Sequence, residues 1–266
     1  MTRSVPYWHV DAFAERAFTG NPAAVMMFDA WPQDSVLQAI AEENNFAETA
    51  FLVKDTSGSA DWELRWFTPT VEIRLCGHAT LASGHVLLGQ TADLQAVRFR
   101  TRRAGVLEVR RMEGARYELA LPAIATAPGQ WPEAVAAMGA SPRELWRSPD
   151  QYNVFLYADE AEVRGLRPDF RALAALGIDA FIATAPGSGS DIVSRVFVPG
   201  AGVDEDPVTG SAHAVLTPFW MARLGRPQFS AFQASARGGH LTCRLDGDRV
   251  WLGGGCVTVV EGRFSF

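Results

Sequence analysis

Glu48 is an acidic residue in an otherwise uncharged stretch, Asn44–Phe51. It stands at the entry to an apolar segment that is predicted to be a strand. A carboxylate in this setting is either exposed or partly desolvated, and partial desolvation suits a group that must take up a proton and return it. Glu48 is therefore a candidate general acid/base, with an exposed strand glutamate as the alternative.

Two apolar segments, His78–Leu88 and Ser211–Leu224, each follow a glycine and are predicted to be buried helices. A helix N-terminus leaves backbone N–H groups unpaired and carries a partial positive charge, so it can bind a carboxylate. Glycine at the entry, here Gly77 and Gly210, lets a ligand approach the backbone closely. We predict an anion site at these helix starts; glycines that merely relieve crowding are the alternative.

The side chains beside the first helix start could carry further chemistry. Cys76 is either a small buried residue or a thiol activated at a helix N-terminus. His78 lies at the helix start, which favours the neutral imidazole. His85 lies two turns further on, too far away to share a metal ion with His78, and is predicted to be a core histidine.

The second helix is preceded by the acidic run Asp204–Asp206, in a predicted loop. We expect one of these side chains to point inward and orient a partner. Ser211 is by composition an ordinary N-cap residue. No dinucleotide-binding glycine motif, Walker lysine motif or nucleophile-elbow serine motif occurs, so nucleotide cofactors are not indicated.

Composition places the chain among globular proteins, with 266 residues, 48% apolar and 20% charged. Its formal net charge of −6 argues against a nucleic-acid partner or an anionic membrane surface. Three cysteines without a C-x-x-C pair support neither a disulfide framework nor a structural zinc site. No signal-peptide pattern or apolar run of about 20 residues occurs, so we expect a soluble cytoplasmic protein.

The chain passes twice through the same order of features. Arg65–Pro69 leads to Gly77, and Arg195–Pro199 leads to Gly210, with 12 and 15 positions from arginine to glycine. Each passage is predicted to be a strand, a loop, a glycine and a buried helix. We therefore predict a duplicated domain, with 122–132 as the linker and a ligand site at the interface. Further predictions are an N-cap at Asp34, short helix starts at Pro132–Met138 and Pro142–Trp146, and separate tail strands at Val250–Leu252 and Val257–Val260.

Four motifs together resemble the phenazine-biosynthesis (PhzF-like) isomerase family in order and spacing, over nearly the whole chain. They are Phe18–Val25, Asn45–Phe51, Cys76–Thr80 and Asp206–Ala212. The resemblance implies an α+β, diaminopimelate epimerase-like fold of two similar domains. Each domain would be a curved mixed sheet around a central apolar helix, with the site in the cleft between them. The expected boundaries are 1–121 and 122–255, with a C-terminal strand near 256–266 that returns to the first domain.

The resemblance also implies an activity. In the family, the glutamate of the F-A-E-T motif shuttles a proton between carbons of 2,3-dihydro-3-hydroxyanthranilate, without a cofactor or metal. By resemblance Glu48 takes this role, and the enzyme would be a homodimeric isomerase of a small cyclic or aromatic-type carboxylic acid. The implied catalytic partners are His78, Asp206 and Ser211, and the implied substrate-binding residues are Asn21, Cys76, Gly77, Thr209 and Gly210.

Two departures keep other functions open. Related two-thiol racemases have a cysteine before each helix glycine, whereas here Thr209 takes the second position opposite Cys76. That disfavours a two-thiol racemase but leaves a one-thiol dehydratase or epimerase. The segment Gln233–Gly238 also departs from the family pattern, so the family substrate is not secured. A non-catalytic protein that binds small acids is the third alternative, and the presence of both Glu48 and His78 argues against it.

Overall fold

The computed structural model describes residues 3–266, which divide into two units. One unit comprises the chain up to Leu121 together with Gly253–Phe266, and the other comprises Pro122–Leu252. The C-terminal segment that belongs to the first unit therefore begins at Gly253, three residues earlier than the strand predicted near 256–266. Among residues 3–266, no helix combines the length and apolar character that a membrane span requires.

The first unit is a closed ring of strands around one helix. Its elements are β1 (Ser4–Ala12), β2 (Asn21–Phe28), α1 (Asp34–Asn44), β3 (Glu48–Lys54), β4 (Trp62–Phe67), β5 (Glu72–Ile73), α2 (Gly77–Gln90), β6 (Ala96–Thr101), β7 (Val106–Arg111) and β8 (Arg116–Pro122). The last strand, β17 (Arg249–Ser265), enters this unit at its C-terminal part. The strands pair in the cyclic order β17, β1, β2, β3, β4, β6, β7, β8 and back to β17. Pairing is parallel between β2 and β3 and between β4 and β6.

Helix α2 fills the inside of this ring, where it packs against β1, β2, β3, β6 and β7. Its residues Gly77–Gly84 are all buried, as the apolar composition predicts. Gly84 permits the close approach to β7, because a Cβ atom there would lie 2.4 Å from Val109 Cγ1. Helix α1 packs on the outside, with Leu37 and Ile40 in one buried cluster with Met26 and Phe51 of β2 and β3.

The second unit also combines paired strands with one long helix, and it has three further short helices. Its elements are β9 (Ala127–Pro128), α3 (Pro132–Ala137), β10 (Glu144–Arg147), β11 (Tyr152–Leu156), α4 (Glu160–Gly165), α5 (Phe170–Ala175), β12 (Ala180–Pro186), β13 (Ile192–Val198), a 3₁₀ turn (Pro199–Ala201), β14 (Val203–Asp206), α6 (Gly210–Leu224), β15 (Gln228–Gln233) and β16 (Gly239–Asp246). The strands pair in the order β9, β10, β11, β12, β13, β15, β16, with β14 also on β13.

Helix α6 is the buried helix of this unit. It packs on β11 and β16, and its Trp220 indole N–H donates to Thr184 Oγ1 of β12 at 3.0 Å. The helix contains Pro218, which has no N–H to offer the carbonyl of Ala214. The backbone N–H of Ile124 donates to that carbonyl at 3.2 Å instead, so the proline is accommodated inside the helix.

Both units therefore combine a mixed sheet with a buried apolar helix, which is the α+β fold class that the sequence predicts. Three local predictions are wrong. Pro142–Trp146 does not start a helix, because Glu144–Arg147 forms β10 between β9 and β11. The two tail strands are one continuous strand, β17. Asp34 is the first residue of α1 rather than its N-cap, which is Gln33, and the Asp34 carboxylate pairs with Arg65.

Candidate active site

Glu48 is placed by the turn that connects α1 to β3. Helix α1 ends at Asn44, its C-cap residue Asn45 has a left-handed backbone with φ of 50°, and β3 then begins at Glu48. The β3 strand is parallel to β2, with Glu48 beside Ala23. The Glu48 side chain is 17% exposed, so its carboxylate is partly withdrawn from solvent and still reachable.

His78 is the second residue of α2, and its imidazole contacts Glu48. The Nε2 atom lies 3.2 Å from Glu48 Oε2, and the His78 side chain is only 4% exposed. The other ring nitrogen, Nδ1, lies 3.1 Å from Asn21 Nδ2 and 3.6 Å from Cys76 Sγ. The fold thus brings side chains from β2, β3 and the start of α2 into one buried cluster around the imidazole.

Asn21 reaches His78 because the β1–β2 connection folds back tightly. It is the first residue of β2, is fully buried, and pairs with Ala12 of β1. Gly20 just before it has φ of 67°, and a Cβ atom there would lie 2.2 Å from the Ala12 carbonyl oxygen. A glycine is therefore required at this position of the F-T-G-N motif.

Burial and charge set the protonation of the cluster. Burial, with the negative charge of Glu48, raises the pKa of the Cys76 thiol to about 11. Burial also acts to lower the pKa of His78, but the adjacent Cys76 and Glu48 side chains outweigh it and hold that pKa well above the ordinary value. This direction runs against the neutral imidazole expected at the helix start, and Cys76 together with the Glu48 carboxylate at 3.2 Å is its cause.

The cluster also has the donor types of a metal site. Glu48, Cys76 and His78 each place one ligand atom within 4.8 Å of the others. The thiol faces Nδ1 of the imidazole and the carboxylate faces Nε2, on opposite sides of the ring. The imidazole therefore contacts a different acidic or thiol group through each of its two nitrogens.

The N-cap residues of the two buried helices are Cys76 in α2 and Thr209 in α6. The Thr209 side chain accepts no hydrogen bond from its helix within residues 3–266, and the Cys76 thiol faces the backbone N–H of Ala79, which leaves the N–H groups of Gly77 and His78 without a cap from Cys76. Ser211 is inside α6, so its prediction as the N-cap is wrong. The backbone carbonyls of the two N-cap residues accept side-chain hydrogen bonds. Thr80 Oγ1 donates to the Cys76 carbonyl at 2.5 Å, and His213 Nδ1 donates to the Thr209 carbonyl at 2.8 Å.

In the second unit, Asp206 is the acidic residue that points inward, as expected of one member of the run. It is 9% exposed and ends β14, so this run is a strand rather than the predicted loop. The Asp206 carboxylate accepts a hydrogen bond from Thr209 Oγ1. Gly210 and Ser211 follow Thr209 as the first two residues of α6.

Gln233 begins the segment that the sequence marked as a departure from the family pattern, and it contacts the second helix start. Its fully buried amide accepts from the Thr209 backbone N–H at 2.8 Å and donates to the Asp206 carbonyl at 2.7 Å. It thereby fixes the turn between β14 and α6. The sequence pointed to this segment as a possible substrate contact, and it did not reveal the hydrogen bonds to Asp206 and Thr209.

The predicted site residues therefore form two groups. Asn21, Glu48, Cys76, Gly77 and His78 belong to the first unit and are gathered around the His78 imidazole. Asp206, Thr209, Gly210 and Ser211 belong to the second unit and surround the start of α6.

Similarity to known proteins extends over nearly the whole chain. The family model described as phenazine biosynthesis-like protein (PhzC-PhzF) matches residues 10–262. The chain belongs to this family. A Pseudomonas aeruginosa protein named as an uncharacterized isomerase is 48% identical over 259 residues, covering 97% of each chain. One from Halalkalibacterium halodurans, also named as an uncharacterized isomerase, is 39% identical over 266 residues, covering 97% of each. The PhzF family structure from Enterococcus faecalis superposes with a TM-score of 0.89 at 42% identity, covering 98% of this chain and 99% of that one.

This PhzF-like protein is thus an enzyme of the isomerase class, as the sequence predicts. An isomerase that moves a proton needs a group that is a base in one step and an acid in the next. The Glu48 carboxylate beside the His78 imidazole is an arrangement that can perform both steps.

Proposed function

We propose that this PhzF-like isomerase moves a proton between two carbons of a small cyclic carboxylic acid, with Glu48 as the acid/base. The observation that carries the proposal is the 3.2 Å contact between Glu48 Oε2 and Nε2 of the buried His78. It holds a partly exposed carboxylate in one place, against a helix start that can bind an anion.

In the proposed reaction the Glu48 carboxylate takes a proton from a substrate carbon, and the electron pair of that C–H bond moves into the substrate's conjugated system. The same carboxyl group then returns the proton to a second carbon on the same face, and a C–H bond forms there. The product has the composition of the substrate, so the step needs no cofactor and no co-reactant.

His78 would stabilise the negative charge that develops on the substrate. In this arrangement Nε2 carries the proton that faces the reacting carboxylate, because Nδ1 lies beside a donor, the amide nitrogen of Asn21. Asn21 would keep the ring in place through its 3.1 Å contact with Nδ1. The backbone N–H groups of Gly77 and His78 would bind the substrate carboxylate, since no cap side chain of α2 within residues 3–266 occupies them.

The residues of the second unit would bind and orient polar substrate groups. We assign this role to Asp206 and Ser211, supported by Thr209 and by the backbone at Gly210. The buried Gln233 favours such a role, because its hydrogen bonds preorganise the turn that carries these residues.

Glu48→Gln tests the proposal, because it keeps the shape of the side chain and removes its proton-transfer group. We expect the turnover of 2,3-dihydro-3-hydroxyanthranilate in ²H₂O to fall by about 100- to 10,000-fold, together with deuterium incorporation into product. Binding of 3-hydroxyanthranilate, measured by calorimetry, should persist. His85→Gln is the control, because His85 lies on the helix that carries His78 but contacts Tyr117 and Thr258 instead of the cluster.

Unchanged turnover and exchange in Glu48→Gln would refute Glu48 as the base. A wild-type protein that binds the ligand but neither converts the substrate nor exchanges deuterium into it would refute the substrate class.

A thiol-based epimerase or dehydratase is the second candidate, favoured by the 3.6 Å contact between Cys76 Sγ and His78 Nδ1. The raised pKa of Cys76 argues against it, because a thiol with a pKa of about 11 is protonated at neutral pH.

A further inference from the structure

Arg65 and Arg195 make matching contacts in the two units. Arg65 donates from Nε and Nη2 to the two carboxylate oxygens of Glu72 at 2.8 and 2.7 Å. Arg195 donates from the same two nitrogens to Glu205 at 2.8 and 2.9 Å. Each guanidinium also stacks on the phenylalanine two residues further on, with its carbon 5.0 Å from the ring centre of Phe67 and 4.9 Å from that of Phe197.

Both ion pairs lie at the same place relative to a buried helix. Glu72 precedes Gly77 by five residues, and Glu205 precedes Gly210 by five residues. In each unit the arginine comes from the strand that pairs with the short strand carrying the glutamate. Each pair therefore fastens the segment that leads directly into a helix start.

Backbone pairing alone holds these segments weakly. Strand β5 has two residues, and the pairing of β14 with β13 is interrupted by an irregularity between Val196 and Val198. The side-chain contacts are well shielded by comparison, with Arg65 2% exposed and Arg195 12% exposed. A two-pronged arginine–carboxylate contact also fixes orientation, which a lysine cannot do.

We call each arginine–glutamate pair, Arg65–Glu72 and Arg195–Glu205, a clamp. The third nitrogen of each guanidinium donates a hydrogen bond to a different element of the same unit. Arg65 Nη1 donates to Asp34 Oδ1 at the start of α1, at 2.8 Å. Arg195 Nη1 donates to the Leu166 carbonyl just after α4, at 3.0 Å. Each arginine thus joins an outer helix to the segment before the buried helix.

We propose that Arg65 and Arg195 are positioning residues, each of which fixes the segment leading into a helix start that binds the substrate. The Arg65 clamp sets the location of Cys76, Gly77 and His78. The Arg195 clamp sets the location of Asp206, which directly follows Glu205. The inference rests on the proposed function, because only then do these segments carry the substrate-binding groups.

Arg65→Lys tests the first clamp, because lysine keeps the positive charge but cannot donate two parallel hydrogen bonds to the Glu72 carboxylate. The readout is the rate of iodoacetamide labelling at each cysteine of the folded protein, mapped by mass spectrometry. Cys76 and Cys256 are both buried and both in the first unit, so Cys256 reports general loosening of that unit. We expect labelling of Cys76 to accelerate by about tenfold, with no change at Cys256.

Arg195→Lys tests the second clamp by hydrogen exchange. Exchange of the backbone amides in 206–211 should accelerate by about tenfold, while labelling of Cys76 stays at the wild-type rate. In both variants kcat for 2,3-dihydro-3-hydroxyanthranilate should fall by about 10- to 100-fold with a smaller change in KM, because the substrate binds but is misaligned.

Arg100→Lys is the matched control. Arg100 also contacts two acidic side chains, Asp55 and Glu63, but neither of them belongs to a segment that leads into a buried helix. It should change neither labelling nor kcat. If Arg65→Lys does not fold, Glu72→Gln provides the same test from the other partner.

Equal acceleration at Cys76 and Cys256 would overturn the inference, since the clamp would then stabilise the whole unit. Unchanged labelling, exchange and kcat would overturn it as well. Labelling and exchange do not depend on turnover, so they separate this inference from the proposed function: an active Glu48→Gln refutes the acid/base assignment and leaves the clamp result unaffected.

Discussion

Replacing Cys76 with alanine separates the two chemical roles available to the cluster. The substitution removes a thiol that lies 3.6 Å from His78 Nδ1 and leaves the 3.1 Å contact of the same nitrogen with Asn21. The contact between His78 and Glu48 is on the other side of the ring and is not touched. If Glu48 is the acid/base, we expect Cys76→Ala to retain most of the activity.

The expected size of the effect follows from the pKa of the thiol, which burial and Glu48 raise to about 11. At pH 7 such a group is ionised in about one molecule in 10,000, so forming the thiolate costs about 5 kcal/mol before any chemistry. A base with that penalty contributes little. We therefore expect kcat to change by less than about threefold, and the free energy of unfolding to fall by about 1 kcal/mol for the small cavity left behind.

The assay is turnover of 2,3-dihydro-3-hydroxyanthranilate in ²H₂O by wild type, Cys76→Ala and Glu48→Gln, side by side. Circular dichroism and urea unfolding confirm that each variant is folded. Loss of turnover in Cys76→Ala, with turnover retained in Glu48→Gln, would refute the reasoning and assign the proton transfer to the thiol. Inactivation of the wild type by iodoacetamide at Cys76, prevented by substrate, would point the same way.

Two further predictions concern the buried helices. Burial lowers the pKa of His213 to about 4, against about 6.5 in the unfolded chain. Between these values only the unfolded chain binds the proton, so stability is highest above pH 6.5 and falls by about 3 kcal/mol as the pH drops to 4. His213→Thr, chosen because Thr80 occupies the matching position of α2, should remove most of this pH dependence in urea titrations; an equally steep loss in the variant would contradict it. Gly84→Ala should destabilise the protein by about 2 kcal/mol, because the new Cβ atom would meet Val109. Val109→Ala in the same chain should recover part of that loss, and simple additivity of the two changes would argue against the contact.

The sequence by itself determined the elements that local chemistry controls. The buried helices begin at Gly77 and Gly210. At each of them the glycine and the apolar run that predict the helix are neighbours in the sequence. The four motifs identified the family because their residue types, their order and their spacing along the chain all match it. The isomerase class followed from that resemblance, and no single residue carried it.

Only the tertiary structure decided how these parts meet. Glu144–Arg147 is a strand because β9 and β11 lie on either side of it, which no local pattern at Pro142 reveals. The contact between His78 and Glu48 joins residues that are 30 positions apart in the chain and on different elements. The partners of Gln233 and Arg195 are likewise set by packing. Hydrogen bonds and pKa values depend on distances between atoms, and for residues far apart in the chain the fold alone sets those distances.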